Sequence, residues 1–72
     1  MNEFSEPRRG AAAALKQWME ETKTTVRQLS AATGISERTI TALRNGKSAG
    51  NFATWRIICR RTGLNIEEIM GL

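Results

Sequence analysis

Residues 25–47 read TVRQLSAATGISERTITALRNGK, and this stretch contains the clearest signals of the fold. Its apolar residues recur three to four positions apart in two short segments, as they do on one face of an α-helix. Gly34 stands between the segments, where a tight turn between two crossing helices favours a residue that tolerates positive φ. Ser36 follows the glycine and is a residue type that starts helices. The stretch therefore predicts two helices, at about 26–33 and 37–44, joined by a tight turn.

Capping signals predict further helices on both sides of this pair. Thr25 and Gln28 have the spacing of a capping box, in which each side chain bonds the backbone amide of the other residue. Residues 1–6 are expected to be a flexible lead-in to a helix over about 7–22. Asn51 and Asn65 are placed to start two more helices, one at about 52–62 and one that ends near residue 70.

The predicted fold is all-α, a compact five-helix bundle with a helix-turn-helix formed by helices two and three. Residues 1–72 are expected to form a single domain with no separate effector or dimerisation domain. Besides Leu15, Trp18 and Met19 of the first helix, the residues expected to face inward are Leu29, Ala32, Ile40, Leu43, Phe52, Trp55, Ile58 and Cys59.

Composition excludes several classes of function. The chain has no His and one Cys, so it lacks the commonest general base, a disulfide within the chain and a thiolate metal cage. Adjacent glutamates diverge by about 100° on a helix and cannot share a proton. We therefore expect no enzyme, no cofactor, no metal and no small-molecule ligand. We also expect no membrane span and no secretory signal, hence a cytoplasmic protein.

Charge is concentrated in the middle of the chain. Residues 22–64 contain eight basic side chains and one acid, Glu37, whereas the flanks contain three basic side chains and six acids. A basic centre between acidic ends is typical of a surface that meets a polyanion. Arg56, Arg60 and Arg61 in helix four remain open to two interpretations, a solvated face or a second DNA contact.

The stretch 25–47 resembles the helix-turn-helix of phage repressor/Cro-type DNA-binding domains, the lambda-repressor-like family. The family pattern is similar to T-Q-x-x-L-A-x-x-x-G-V-S-x-x-T-I-S-x-I-E-x-G-K. The residues that match it in identity or type are Leu29, Gly34, Ile35, Ser36, Thr39, Ile40, Leu43, Gly46 and Lys47. Val26 stands where the family often has a phosphate-binding Gln, and Arg44 replaces an acid. The resemblance covers about residues 11–72.

The resemblance implies that helix three reads bases in the major groove of double-stranded operator DNA. Arg38 is the leading candidate, because a guanidinium bonds guanine O6 and N7 together. The implied base contacts are Ser36, Glu37, Arg38 and Thr41. The implied phosphate contacts are Arg27, Arg44, Asn45 and Lys47, together with nearby backbone amides. Glu37 has a second interpretation, in which its carboxylate stabilises the N-terminus of its own helix.

Two functions follow as hypotheses. The first is a small sequence-specific transcriptional regulator that binds an operator as a homodimer. The second is an antirepressor-like modulator that uses the same fold to bind another regulator protein, with an antitoxin as a rarer variant. Val26 and Glu37 favour the second, because neither side chain suits an anionic interface.

Overall fold

Five α-helices follow one another along the chain, and local capping residues place them. The computed structural model describes residues 9–70, with helices α1 (Arg9–Thr22), α2 (Val26–Thr33), α3 (Glu37–Arg44), α4 (Phe52–Thr62) and α5 (Ile66–Met70). No strand occurs in this part of the chain, so the all-α prediction is confirmed. The bounds predicted for α2, α3 and α4 are also confirmed. The predicted lead-in at 1–6 and the predicted helix start near residue 7 lie outside the described residues.

Side-chain caps start the helices. Thr25 Oγ1 accepts a hydrogen bond from the Gln28 amide at 3.0 Å, and Gln28 Oε1 accepts one from the Thr25 amide at 2.9 Å. The predicted capping box is therefore confirmed. Asn51 caps α4 through its side-chain oxygen at 2.8 Å, and Asn65 caps α5 in the same way. Such a cap contributes about 0.5–2 kcal/mol, enough to fix where a short helix begins.

Hydrogen bonds made by two residues of α2, Ser30 and Thr33, hold the turn between α2 and α3. Gly34 has φ 78°, and its amide donates to the Ser30 carbonyl oxygen at 2.8 Å. The Ser30 hydroxyl donates to the Ile35 carbonyl oxygen at 2.5 Å, and Thr33 Oγ1 accepts from the Ile35 amide at 3.2 Å. These bonds satisfy the backbone groups that a helix end leaves free, so α3 begins at a fixed place against α2.

One apolar core joins all five helices. Helix α3 packs on α1 and α2, while α5 packs on α1 and α4, and α2 packs on α4. The Cα radius of gyration is 11.1 Å, the value expected for a compact chain of this length. No described helix is long and apolar enough to cross a membrane. The buried side chains are Ala11, Leu15, Met19, Leu29, Ile40, Leu43, Trp55, Ile58, Cys59 and Ile69.

Cys59 fills space in this core, as predicted. Its thiol is free, and burial raises its pKa above the usual value. A thiol with a raised pKa stays protonated at neutral pH and is a poor nucleophile. Cys59 therefore behaves as a small apolar side chain.

Two predicted core positions are wrong. Phe52 is 48% exposed, whereas Trp55, one turn later, is buried and bonds the loop before α4. Ala32 is also exposed, because the packed side of α2 carries Val26 and Leu29 and leaves Ala32 at its edge. Both errors concern which side of a helix meets a neighbour, which the helical period alone does not determine.

The loop before α4 passes closely over the core at Gly50. Trp55 is 1% exposed, and its indole Nε1 donates to the Ala49 carbonyl oxygen at 2.8 Å. Gly50 has φ 70°, and a Cβ there would lie 2.7 Å from Leu43 Cδ2 and 3.0 Å from Trp55 Nε1. Gly50 is therefore required for two reasons: a side chain would clash with the core, and the positive φ would strain any other residue.

We predict that Gly50→Ala lowers the free energy of unfolding by about 2–4 kcal/mol, since backbone strain and overpacking add. Gly34→Ala is the matched control, because it has the same positive φ and nothing within 4 Å of the new Cβ. Its cost should be strain alone, about 1–2 kcal/mol. Urea denaturation followed by circular dichroism measures both. An equal loss in the two variants would contradict the proposed close contact at Gly50.

Candidate nucleic-acid interface

The buried side of α3 determines which of its residues face outward. Ile40 and Leu43 are both 0% exposed and pack against the body of the domain. Glu37 and Arg38 are exposed, whereas Thr41 is half-buried. The predicted inward residues of α3 are thus confirmed, and its polar residues lie on the outer side.

The outer side of α3 brings most of the predicted contact residues together. At 100° per residue, five of them fall within an arc of about 120° that lies away from Leu43. These five are Glu37, Arg38, Thr41, Arg44 and Asn45. The structure places Arg27 elsewhere, exposed in the first turn of α2, and Lys47 in the loop after α3.

The N-terminus of α3 uses Ser36 and Glu37. Ser36 Oγ accepts from the Thr39 amide at 3.2 Å and donates to Thr39 Oγ1 at 2.9 Å. Because a phosphate oxygen needs a donor, Ser36 can bind one only if its proton turns away from Thr39. Glu37 is the first residue of α3, where a carboxylate interacts favourably with the helix dipole. Its position is compatible with both of its interpretations.

The first amides of the loop after α3 are bonded within the protein. The amides of residues 45–48 all donate to carbonyl oxygens of residues 41–43, at 2.9–3.3 Å. The phosphate contacts expected at Asn45 and Lys47 therefore depend on their side chains or on other amides. The two side chains themselves are exposed. At the start of α2, the Gln28 amide is bonded to Thr25 Oγ1, whereas the Val26 and Arg27 amides have no acceptor within the helix.

Arg44 and Val26 are partly enclosed by the domain. Arg44 is half-buried, and its Nε is buried without a hydrogen-bond partner. An unpaired buried donor costs about 1–3 kcal/mol, so the Arg44 side chain is not optimised for stability. Val26 is half-buried and packs on the core. Among residues 9–70, no three Cys, His or acidic side chains are close enough to hold a metal ion.

A helix-turn-helix whose second helix presents a polar outer face is the architecture of a class of DNA-binding domains. The family model for Cro/C1-type helix-turn-helix DNA-binding domains matches residues 14–72. The chain therefore belongs to this family, which confirms the resemblance seen in the sequence. No curated protein and no solved structure matches it significantly.

Sequence reasoning missed the residues that support the turn. These residues are Ser30 and Thr33, to which the sequence analysis assigned no role. Their hydroxyls bond the backbone of Ile35 and so position the start of α3. Hydroxyl residues just before a helix-ending Gly are the signal that was available.

We predict that Arg44→Met changes the salt dependence of DNA binding but leaves the free energy of unfolding almost unchanged. Met keeps an apolar stem and removes both the unpaired Nε and a charge at the C-terminus of α3. The two effects on stability oppose each other, so the free energy of unfolding should change by less than about 1 kcal/mol. If Arg44 contacts a phosphate, the salt slope of DNA binding should become shallower by about 1.

Lys16→Met is the matched control, since it removes one exposed cation from α1. It should leave the salt slope almost unchanged. Fluorescence anisotropy with a labelled duplex at several salt concentrations measures both variants. Equal slopes for Arg44→Met and Lys16→Met would argue against a phosphate contact at Arg44.

Proposed function

We propose that this chain is a sequence-specific, DNA-binding transcriptional regulator of the phage repressor/Cro type, acting as a single domain in the cytoplasm and not as an enzyme. The proposal rests on the polar residues that α3 exposes on its outer side. Arg38 is exposed there, opposite the buried Ile40 and Leu43. A helix held in this way can enter a major groove without rearrangement of the core.

Base reading is proposed for the N-terminal half of α3. Arg38 would bond guanine O6 and N7, a pair of contacts worth about 1–3 kcal/mol of discrimination against another base. Thr41 lies one turn further on the same face and would contact a thymine methyl group or a base acceptor. Ser36 Oγ would accept a further hydrogen bond from a base, and the Glu37 carboxylate would accept one from cytosine N4.

Phosphate binding is proposed for cations and polar side chains around that face. Arg27, with the Val26 and Arg27 amides at the start of α2, would bind the phosphates on one side of the DNA major groove. Arg44, Asn45 and Lys47 would hold the other side through their side chains. The three cations in this set, Arg27, Arg44 and Lys47, correspond to a slope of log K against log salt of about −3 per subunit. We also propose that a homodimer binds half-sites about 34 Å apart on a two-fold operator.

Replacing Arg38 tests the proposal directly. We expect Arg38→Ala to abolish specific binding to the DNA upstream of the gene in a mobility-shift assay. Weak, salt-sensitive binding should remain, because phosphate contacts do not depend on sequence. Lys16→Ala, which removes an exposed cation of α1, should bind like the unmodified protein. Equal affinity of the Arg38→Ala and unmodified proteins would refute α3 as the reading helix.

Replacing Glu37 separates its two interpretations. If the carboxylate serves only its own helix, Glu37→Gln should lower stability by about 0.3–1 kcal/mol and strengthen DNA binding by removing a repulsive charge. If it reads cytosine, the variant should lose discrimination at one base pair. Thermal unfolding and binding to operators changed one base pair at a time measure the two effects. A variant with unchanged stability and unchanged binding would contradict both interpretations.

The second candidate function is an antirepressor-like modulator that binds another regulator protein. Val26 supports it, because an apolar residue packed on the core cannot bind phosphate as the family's Gln does. Co-purification with a neighbouring regulator, together with no DNA binding by the chain alone, would favour this function. A footprint produced by the isolated chain would count against it.

A further inference from the structure

A groove with basic and apolar walls lies between α1, α2 and α4. It consists of two adjoining depressions, of about 540 Å³ and 290 Å³, which share Ala32 and Arg61 as lining residues. No residue of α3 or of the loop that follows it lines either depression. We call this feature the basic groove and define it by Trp18, Lys23, Ala32, Ile57, Arg60 and Arg61.

The charge of the basic groove has one sign. Lys23, Arg60 and Arg61 line it, and none of its lining residues is acidic. All three cations are exposed. Cations placed together repel one another, and the positive potential that they create attracts an anionic occupant. The occupant that complements this groove therefore carries carboxylates or phosphates.

The apolar part of the groove distinguishes between these two. Ile57 is 44% exposed, Trp18 is half-buried, and Ala32 is exposed beside them. A DNA backbone offers sugars and phosphates but no apolar side chain that could fill the space next to Ile57. An amphipathic protein segment offers both, with an apolar stripe for Ile57 and Trp18 and carboxylates for the cations.

Lys23 ends α1 in the left-handed backbone conformation, where the Thr24 amide donates to the Met19 carbonyl oxygen at 2.9 Å. Lys23 has φ 57°, the only positive φ outside glycine in the described part of the chain. Glycine adopts this conformation without the steric cost that a Cβ brings. A lysine here adds a cation to the end of the groove in a conformation that glycine would adopt more easily.

We propose that the basic groove binds an acidic amphipathic segment of a partner protein. A second copy of this chain is the less suitable occupant, because a two-fold contact would set the three cations against their own copies. The proposal does not rest on DNA binding by α3, since the groove uses none of its residues. Either proposal can therefore fail without the other.

A defined peptide serves as the probe. It is a blocked helical peptide of Ala and Glu with three Leu at positions i, i+4 and i+7, so that leucines form one stripe. The control peptide has the same composition with leucines spread around the helix. Amide chemical shifts of the ¹⁵N-labelled full chain report the binding site. We expect the striped peptide to shift Ala32, Ile57 and Arg60 and to leave Arg38 and Thr41 unchanged.

Two pairs of variants test the charge and the apolar contact separately. Arg61→Glu should weaken peptide binding roughly tenfold, because it replaces attraction by repulsion in the groove. Arg56→Glu makes the same charge change at an exposed residue of α4 outside the groove, and it should weaken binding less than about threefold. Ile57→Ala should weaken binding roughly fivefold. Phe52→Ala, which truncates the other exposed large apolar residue of α4, should not.

Several results would overturn the proposal. They are the absence of binding at millimolar peptide, equal binding of the two peptides, and equal losses in Arg61→Glu and Arg56→Glu. Random-sequence duplex DNA that shifts the groove amides, with an affinity lowered by Arg61→Glu, would make the groove a second DNA contact instead. Self-association that Ile57→Ala abolishes would make it a contact between copies. Thermal unfolding of each variant verifies that it is folded.

Discussion

The burial of Ile40 and Leu43 sets the rotation of α3 about its own axis, and the candidate DNA-binding surface depends on that rotation. Burying one such side chain stabilises a fold by about 1.5–3 kcal/mol. Turning α3 by one residue would move both side chains out of the core, and in one direction it would bring Thr41 and the charged Arg44 into their places, which costs several kcal/mol more. The orientation of the outer face of α3 is therefore preformed in the unbound protein.

Both ends of α3 are fixed by contacts outside the helix. At its start, Ser30 and Thr33 bond the backbone of Ile35, and Ser36 caps the first turn. At its end, Leu43 packs where Gly50 allows the loop to approach Trp55. The amides of residues 45–48 donate hydrogen bonds to the last carbonyl oxygens of α3. A reading helix held at both ends can place a guanidinium with the accuracy that paired hydrogen bonds require.

The sequence predicted most of this fold because the signals that bound short helices are local. Thr25 with Gln28 and Ser36 before α3 are read from a few neighbouring residues. The outer arc of α3 followed from the helical period once Ile40 and Leu43 were assigned inward. Phe52 and Ala32 were assigned wrongly, because their burial depends on helices distant in sequence. The acceptors of the amides of residues 45–48 could not be predicted for a similar reason, since they depend on how the loop folds.

The charged side chains serve the proposed functions of the domain, whereas its fold depends on apolar side chains. Apart from the Nε of the half-buried Arg44, the described polar and charged side chains lie outside the core, which consists of apolar side chains. The cations are therefore available to two surfaces, one on α3 and one in the basic groove. The cations of the basic groove are Lys23, Arg60 and Arg61, and none of them is a residue proposed to bind DNA. A partner held there and an operator held by α3 are compatible, unless the partner is large enough to meet the DNA itself.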